Sequence, residues 1–511
     1  MKKSMAIGIF LLALLIIAAT PKFLGDAGKV SGSPNSTAAM PNSSIAGDAK
    51  EIPVKLTVPS TTPPAEPIVL HYGLSELVLK RTGNFTYEGI LNASNYNVGS
   101  TVAYGYSRGG IIAFGECGFM GIGGALMPRN FTVGVDTQIN DKVTCWKWLP
   151  GNASEEPLIP TQAGGGAFEA RPRFWKGAYL PDFWSPEQAY NYNQTIAHMK
   201  QEGFDWIAIK PPVSESSSDP VQYALGQRIN CPSFPNDTLK DEIHAFKHAG
   251  MHVLLEVQLC SGEDQYQNKN STWWQQWFSQ VKQVVQYHAK IAKDESVDAF
   301  VLQFDGALPL ATGSPNFSSE EWSQIIDIAR TSGANVSFSS GAWGADTADP
   351  HALPYPLGSV DFINRLDFLE VGVQNTLFLN NSYPTQADID AAIEKIIGRL
   401  DYLHNLTGKP VLIAPVSYSS TDGAGLKKGP EVLYAYMDPS KVYSQYNVAY
   451  NDTQQAMIYE AIMRSIASRP YIIGIFTWGY GYVDSQLTPD DTIRGKMAER
   501  VLSRWFSNLS S

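Results

Sequence analysis

Basic clusters are missing from this chain. No Lys/Arg-rich run occurs in its 511 residues, and the formal net charge is −11. Nucleic acid and anionic membrane surfaces both demand a basic patch, so neither is expected as the main partner. Cysteine is scarce as well, with only Cys117, Cys145, Cys231 and Cys260. None forms a CxxC pair or a Cys/His cluster at metal spacing, so no metal and no cofactor is expected. The longest apolar stretch, residues 5–19 (MAIGIFLLALLIIAA), is 15 residues, short of the roughly 20 that span a bilayer as a helix.

What is present is the material of a large core: 44% hydrophobic residues against 17% charged, with 12 Trp and 24 Tyr. A basic Met1-Lys2-Lys3 precedes the apolar stretch, and residues 1–24 therefore read as a signal peptide or an N-terminal membrane anchor. No clear A-x-A cleavage site follows, so both stay open. Fifteen Asn-x-Ser/Thr sequons occur, among them Asn35, Asn84, Asn130, Asn193, Asn270, Asn405 and Asn451. They fit a secreted or surface-displayed glycoprotein. In that oxidising setting four cysteines suggest disulfides, with Cys117–Cys145 and Cys231–Cys260 favoured by chain order among three possible pairings.

Composition changes along the chain mark the domains. Residues 25–66 are rich in Ser, Thr, Pro, Ala and Gly and read as a glycosylated linker. Residues 67–160 carry short alternating runs (SELVLKR, STVAYGY, GGIIAFG, NFTVGV) between turn residues, the pattern of a small all-β domain. The Gly-rich CGFMGIGGALM inside it has no helical pattern after it, so hairpin glycines are a better reading than a phosphate loop. From 174 to 508, strand and helix signals alternate. Strands are predicted to end at Leu180, Lys210, Gln258, Asp305, Ser340, Val373, Pro415 and Trp478, with helical periodicity between most of them. Gly203, Gly250 and Gly333 stand where helix C-termini need a left-handed residue. Eight such units specify a (β/α)8 TIM barrel whose functional groups lie at the C-terminal strand ends.

Strand motifs KGAYL, QEGFDWIAIKPP, SFSSGAWGAD, LDFLEVGV, KPVLIAPVSY and IFTWGY resemble those of the clan-A glycoside hydrolases, most of all the barrel endo-β-mannanases. The resemblance implies a barrel acting on a β-linked polysaccharide, with an acid/base Glu ending strand four and a nucleophilic Glu ending strand seven. Here strand four ends in Asp305 and the strand-seven position is Pro415.

Alternation along each strand shows which groups point inward. Val253, Leu255, Val257 and Leu259 form an outward set, leaving Glu256 and Gln258 inward. Phe300, Leu302 and Phe304 face out, leaving Gln303 and Asp305 inward, and Glu370 is inward on strand six. Glycoside hydrolysis needs two carboxyls flanking the bond; Asp305 is the candidate acid, with Glu370 or Glu256 as its counterpart. Lys210 shares the inward face of strand two, and a buried Lys210–Glu256 pair is an alternative reason for Glu256. Trp184, Trp343, Tyr418 and Trp478 fall at or just past strand ends, where flat rings suit pyranose faces. Asp182, Lys210 and Gln303 join them as candidate sugar contacts. Three functions are compatible with this pattern: a secreted or surface glycoside hydrolase, a catalytically inactive glycan-binding barrel, and a structural component of a glycosylated cell envelope.

Overall fold

The computed structural model describes residues 50–121, 126–150, 171, 173–181, 190–218, 221–224, 236–260, 269–304, 319–340, 362–374, 377, 384–424 and 450–510. Asp182, Trp184, Cys231, Asp305 and Trp343 lie outside them, as do the side chain of Cys260 and the N-terminal apolar stretch.

Period-two alternation builds the first half. In EIPVKLT, Ile52, Val54 and Leu56 are buried while Glu51, Pro53, Lys55 and Thr57 face out, giving β1 (Glu51–Thr57). This strand lies inside the stretch expected to be linker. The high Ser/Thr/Pro content of residues 25–66 obscured a seven-residue alternation at 51–57, and the β domain begins there instead. It continues with β2 (Ile68–Tyr72), β3 (Ser75–Arg81), β4 (Thr86–Asn92), β5 (Thr101–Arg108), β6 (Arg129–Thr132) and β7 (Ile139–Lys142), in the spatial order β6-β5-β2-β3-β4-β1-β7. Ile52, Leu56, Leu70, Leu91, Tyr106, Phe131 and Trp146 share its core. Cys117 and Cys145 are disulfide-bonded, with Cα atoms 5.7 Å apart.

Eight parallel strands then close on themselves: β8 (Trp175–Tyr179), β9 (Trp206–Ile209), β12 (His252–Cys260), β13 (Ala299–Gln303), β14 (Asn335–Ser340), β15 (Leu369–Val373), β16 (Val411–Val416) and β17 (Ile472–Thr477), with β17 pairing back to β8. The remaining two strands, β10 (Pro212–Ser218) and β11 (Val221–Ala224), form a hairpin, and β10 continues the line of β9 along β12 beyond Lys210 and Pro211. Helices α1 (Tyr192–Gln201), α2 (Asn236–His248), α3 (Ser271–Asp294), α4 (Ser319–Arg330), α5 (Gln386–Thr407), α6 (Asp452–Ala467) and α7 (Met497–Ser510) surround the barrel. Between β14 and β15 the described residues hold only a 3-10 turn, Phe362–Arg365. Gly203, Gly250 and Gly333 adopt φ of +85°, +79° and +80° at their helix ends, as the sequence suggested. Among the described residues no helix is long and apolar enough to cross a membrane.

The barrel has two apolar layers. Val253, Leu255, Val257, Phe300, Leu302, Val371 and Ile413 face the helices, while Trp206, Ala208, Leu254, Val301, Leu412, Ala414 and Phe476 fill the interior. Trp175 stacks on Trp206 at 4.0 Å, and Trp206 on His252 at 4.8 Å. These residues open β8, β9 and β12, so their rings plug the N-terminal floor. Gly177 is required by that filling: a Cβ there would stand 2.3 Å from the Phe476 ring.

A buried charge network joins the β domain to the barrel rim. Arg108 Nη1 donates to Glu66 Oε2 at 2.8 Å and to the carbonyl of Asp484 at 3.1 Å. The Asp484 amide donates to Glu66 Oε1 at 2.6 Å, and Arg494 Nε to Asp484 Oδ1 at 3.1 Å. Burial pushes the Glu66 carboxyl up in pKa and Arg108 opposes that shift. Removing one member of a buried pair leaves the other uncompensated, at a cost of about 3–5 kcal/mol. Arg108→Leu is therefore expected to lower the unfolding midpoint sharply, and adding Glu66→Gln to recover part of the loss, in a denaturant titration of all three proteins. A single-variant loss below about 1 kcal/mol would mean that the network is solvated.

Candidate functional site

At the C-terminal end of the barrel, polar groups replace the aliphatic filling. Glu256 on β12 has no exposed surface, and Lys210, at the end of β9, is 6% exposed. Their Nζ and Oε1 atoms lie 3.5 Å apart. The Tyr179 hydroxyl, from the last residue of β8, donates to Glu256 Oε2 and also bonds Glu370 on β15. Glu370 is fully buried as well, and the Ser340 hydroxyl of β14 donates to its carbonyl at 2.7 Å. Burial raises the Tyr179 pKa well above the ordinary phenol value, and both carboxylates push it the same way. The phenol thus stays protonated and can serve as a donor. Half-buried Trp478 caps the group: its ring centroid lies 5.4 Å from that of Tyr179 and 4.8 Å from Lys210 Nζ, within cation–π range.

Gln258 and Gln303 pair across β12 and β13 and are both half-buried one layer further out, while Gln374 is exposed. The structure brings Glu256, Glu370, Lys210 and Trp478 together, with Gln303 at the next level.

Tyr418 does not join them. Leu412 and Ala414 face the interior, yet Val416 and Tyr418 belong to the outer layer, and Tyr418 is 3% exposed. The register explains the change of side. Ile413 is opposite Val371 and Val416 opposite Val373, so β16 carries one extra residue at Ala414-Pro415, where the peptide bond is cis. A bulge of this kind re-aims every side chain after it. Strict alternation would have turned Tyr418 toward the mouth.

The same shift places Ser417 beside a group that sequence reasoning missed. The Ser417 hydroxyl donates to Asp491, whose pKa burial raises to about 6. Next to it, Lys496 Nζ donates to Asp490 Oδ1 at 2.8 Å, and both residues are buried. The available signal was charge density: Asp484, Asp490, Asp491, Arg494 and Lys496 fall within residues 484–496, directly after the last strand. In the β domain, His71 Nε2 lies 2.7 Å from Ser107 Oγ and His71 Nδ1 lies 3.0 Å from Glu76 Oε1. The spacing is that of a charge relay. Ser107 and His71 are 0% and 1% exposed, with the Phe119 ring 5.5 Å from His71, so no substrate reaches the hydroxyl and the array serves to satisfy buried polar atoms. Among the described residues no cluster of His, Cys, Asp and Glu is arranged to hold a metal.

No family model matches the chain, and no curated protein matches it. Solved structures do. A GH113 β-1,4-mannanase is 18% identical with a TM-score of 0.49, over 65% of this chain and 99% of that one. The GH113 β-mannanase of Alicyclobacillus acidocaldarius is 16% identical at 0.48, over 67% and 100%. A family 5 mannosidase from Rhizomucor miehei is 10% identical at 0.40, over 66% and 93%. These values do not reach beyond the fold, and the barrel assignment rests on the closed strand order itself.

Two measurements follow from the geometry. Lys210→Met is expected to destabilise by about 3–5 kcal/mol because Glu256 stays buried, and Lys210→Met/Glu256→Gln by clearly less, in denaturant unfolding. An undiminished loss in the double variant would reject the pairing. The second concerns Glu242 on α2, fully buried and accepting from the Tyr482 hydroxyl at 2.9 Å. Burial raises its pKa from 4.5 to about 8. A carboxyl whose folded pKa is raised contributes stability below the unfolded value, which is lost as pH rises through the folded one. Glu242→Gln is thus expected to gain on wild type in melting temperature at about pH 8.5 relative to about pH 5. Parallel pH profiles would show that the group titrates normally.

Proposed function

We propose that the barrel is a glycan-binding module of a secreted or surface-displayed glycoprotein, and that it does not hydrolyse what it binds. The observation that carries this reading is the state of the two counterpart carboxylates. Glu256 and Glu370 have no exposed surface, and Lys210 and Tyr179 occupy them. A general acid or base must come within hydrogen-bond reach of the proton it moves, and a glycosidase needs two carboxyls flanking the bond. Pro415 supplies none at strand seven. Among the described residues neither Glu256 nor Glu370 is then open to act with Asp305, which we assign to sugar hydroxyls as an acceptor. Trp478 provides a ring at the mouth, and Trp184 and Trp343 are assigned to the same role from their strand-end positions. The preference for a β-linked polysaccharide rests on the strand motifs that resemble clan-A mannanases. Export is supported by the sequons, by the apolar stretch at residues 5–19 and by the Cys117–Cys145 disulfide, a bond characteristic of oxidising compartments.

The test is a panel of β-linked polysaccharides offered to wild type, Asp305→Asn and Trp478→Leu, with reducing ends and affinity both recorded. Wild type and Asp305→Asn are expected to bind at least one member and release no reducing ends. Trp478→Leu should weaken that binding by about tenfold, equivalent to roughly 1.4 kcal/mol. Turnover by wild type that Asp305→Asn abolishes would replace this reading with the hydrolase.

A further inference from the structure

Trp148 is held in a backbone conformation that a bulky side chain does not favour. Among the described residues two non-glycines have positive φ, Trp148 at +63° and Ser296 at +55°. Ser296 comes directly after the helix C-cap Glu295, where a left-handed residue is common. Trp148 follows no helix. It sits in the turn after Trp146, at a position that glycine or asparagine usually fills, because a bulky L side chain there crowds its own backbone. Two hydrogen bonds fix this turn. Arg108 Nη2 donates to the Lys147 carbonyl at 3.3 Å, and the Leu487 amide donates to the Trp148 carbonyl at 3.2 Å. Arg108 belongs to the buried charge network, so the turn stands on a rigid base. Folding accounts for the turn but not for the indole. Trp146 is 3% exposed and part of the β-domain core, whereas Trp148 is half-buried and belongs to none of the three apolar clusters. Among the described residues its ring makes no aromatic contact and no hydrogen bond.

A short run of contacts joins this turn to the barrel mouth. Gly479, the residue after Trp478, lies against Asp491: a Cβ on it would stand 3.8 Å from Asp491 Oδ1. The next residue, Thr492, has its Oγ1 2.9 Å from Ser485 Oγ. Leu487, 37% exposed, is two residues beyond Ser485, within about 7 Å of it. Half-buried Tyr450 donates its hydroxyl to the Gln486 carbonyl. An indole, a phenol and an aliphatic side chain therefore border one loop that reaches back to the ring at the mouth. We propose that Trp148 is a second sugar platform, supplied by the β domain, which takes a later ring of a β-linked chain whose first ring stacks on Trp478. The occupant is a pyranose because a flat ring fixed in place matches the apolar face of a sugar, and because the surface continues the one at the mouth. Left-handed backbone kept at a bulky residue is a feature of ligand sites, and a ring already fixed loses little freedom on binding. The proposal rests on the glycan-binding reading of the barrel.

Affinity is measured for wild type, Trp148→Leu, Trp148→Gly and Trp478→Leu with β-1,4-mannohexaose, with cellohexaose and with the disaccharide of each. Wild type is expected to bind a hexasaccharide more tightly than its disaccharide by about tenfold or more. Both Trp148 variants should lose about tenfold on the hexasaccharide and nothing on the disaccharide, whereas Trp478→Leu weakens both. Trp148→Gly should also keep the wild-type unfolding midpoint, since glycine adopts the left-handed backbone without strain. Hexasaccharide affinity that neither Trp148 variant changes overturns the platform and leaves the reading of the mouth standing. Equal losses on short and long chains, or a midpoint that falls in both variants, would make the indole a packing residue and overturn it as well. Self-association of wild type that needs no sugar and is absent from Trp148→Leu would assign the surface to a second copy and reject the sugar. Wild type that binds none of the four removes the glycan-binding reading for these chains, and the platform with it.

Discussion

Lys210 and Glu256 meet 3.5 Å apart at the open end of the barrel, both buried. A charge at such a position needs a partner, because burying it alone costs several kcal/mol. The rest of the mouth is arranged around that requirement. Tyr179 fills the remaining oxygen of Glu256 and links it to Glu370, and Trp478 lies against the ammonium. The layer beneath is apolar and ends in the stacked rings of Trp175, Trp206 and His252. A carboxylate committed to such a network holds neighbouring strands together.

The segment 484–496 links this end of the barrel to the β domain. Asp484 binds Glu66 and Arg108 and is held in turn by Arg494, while Asp491 takes the hydroxyl of Ser417 just past the bulge of β16. One loop therefore supports the rim of the barrel and the seat of the β domain.

The barrel was legible in the sequence because each strand has a one-residue rhythm that burial enforces. The outward set Val253, Leu255, Val257 and Leu259 and the inward Glu256 stand where alternation puts them. Tyr418 was assigned to the mouth from its place just past a strand end, and neither that position nor alternation announces the residue inserted at Ala414-Pro415, which leaves it in the outer layer. β1 was hidden by its linker-like flanks, although Ile52, Val54 and Leu56 alternate cleanly. Asp491 lies on a loop, where periodicity carries no information about direction. The Lys210–Glu256 neighbourhood could be read because strand order and parity suffice to place two side chains on adjacent strands.

The claim that Glu256 and Glu370 are sealed can be measured without knowing the sugar. Folded protein is treated with a water-soluble carbodiimide and a small amine, digested, and mapped by mass spectrometry. Exposed carboxyls such as Glu51 and Glu320 should be modified, while Glu256 and Glu370 should remain free until the protein is unfolded. Modification of either in the folded state, at a rate near that of the exposed groups, would show that the mouth has an accessible acid and contradict the account.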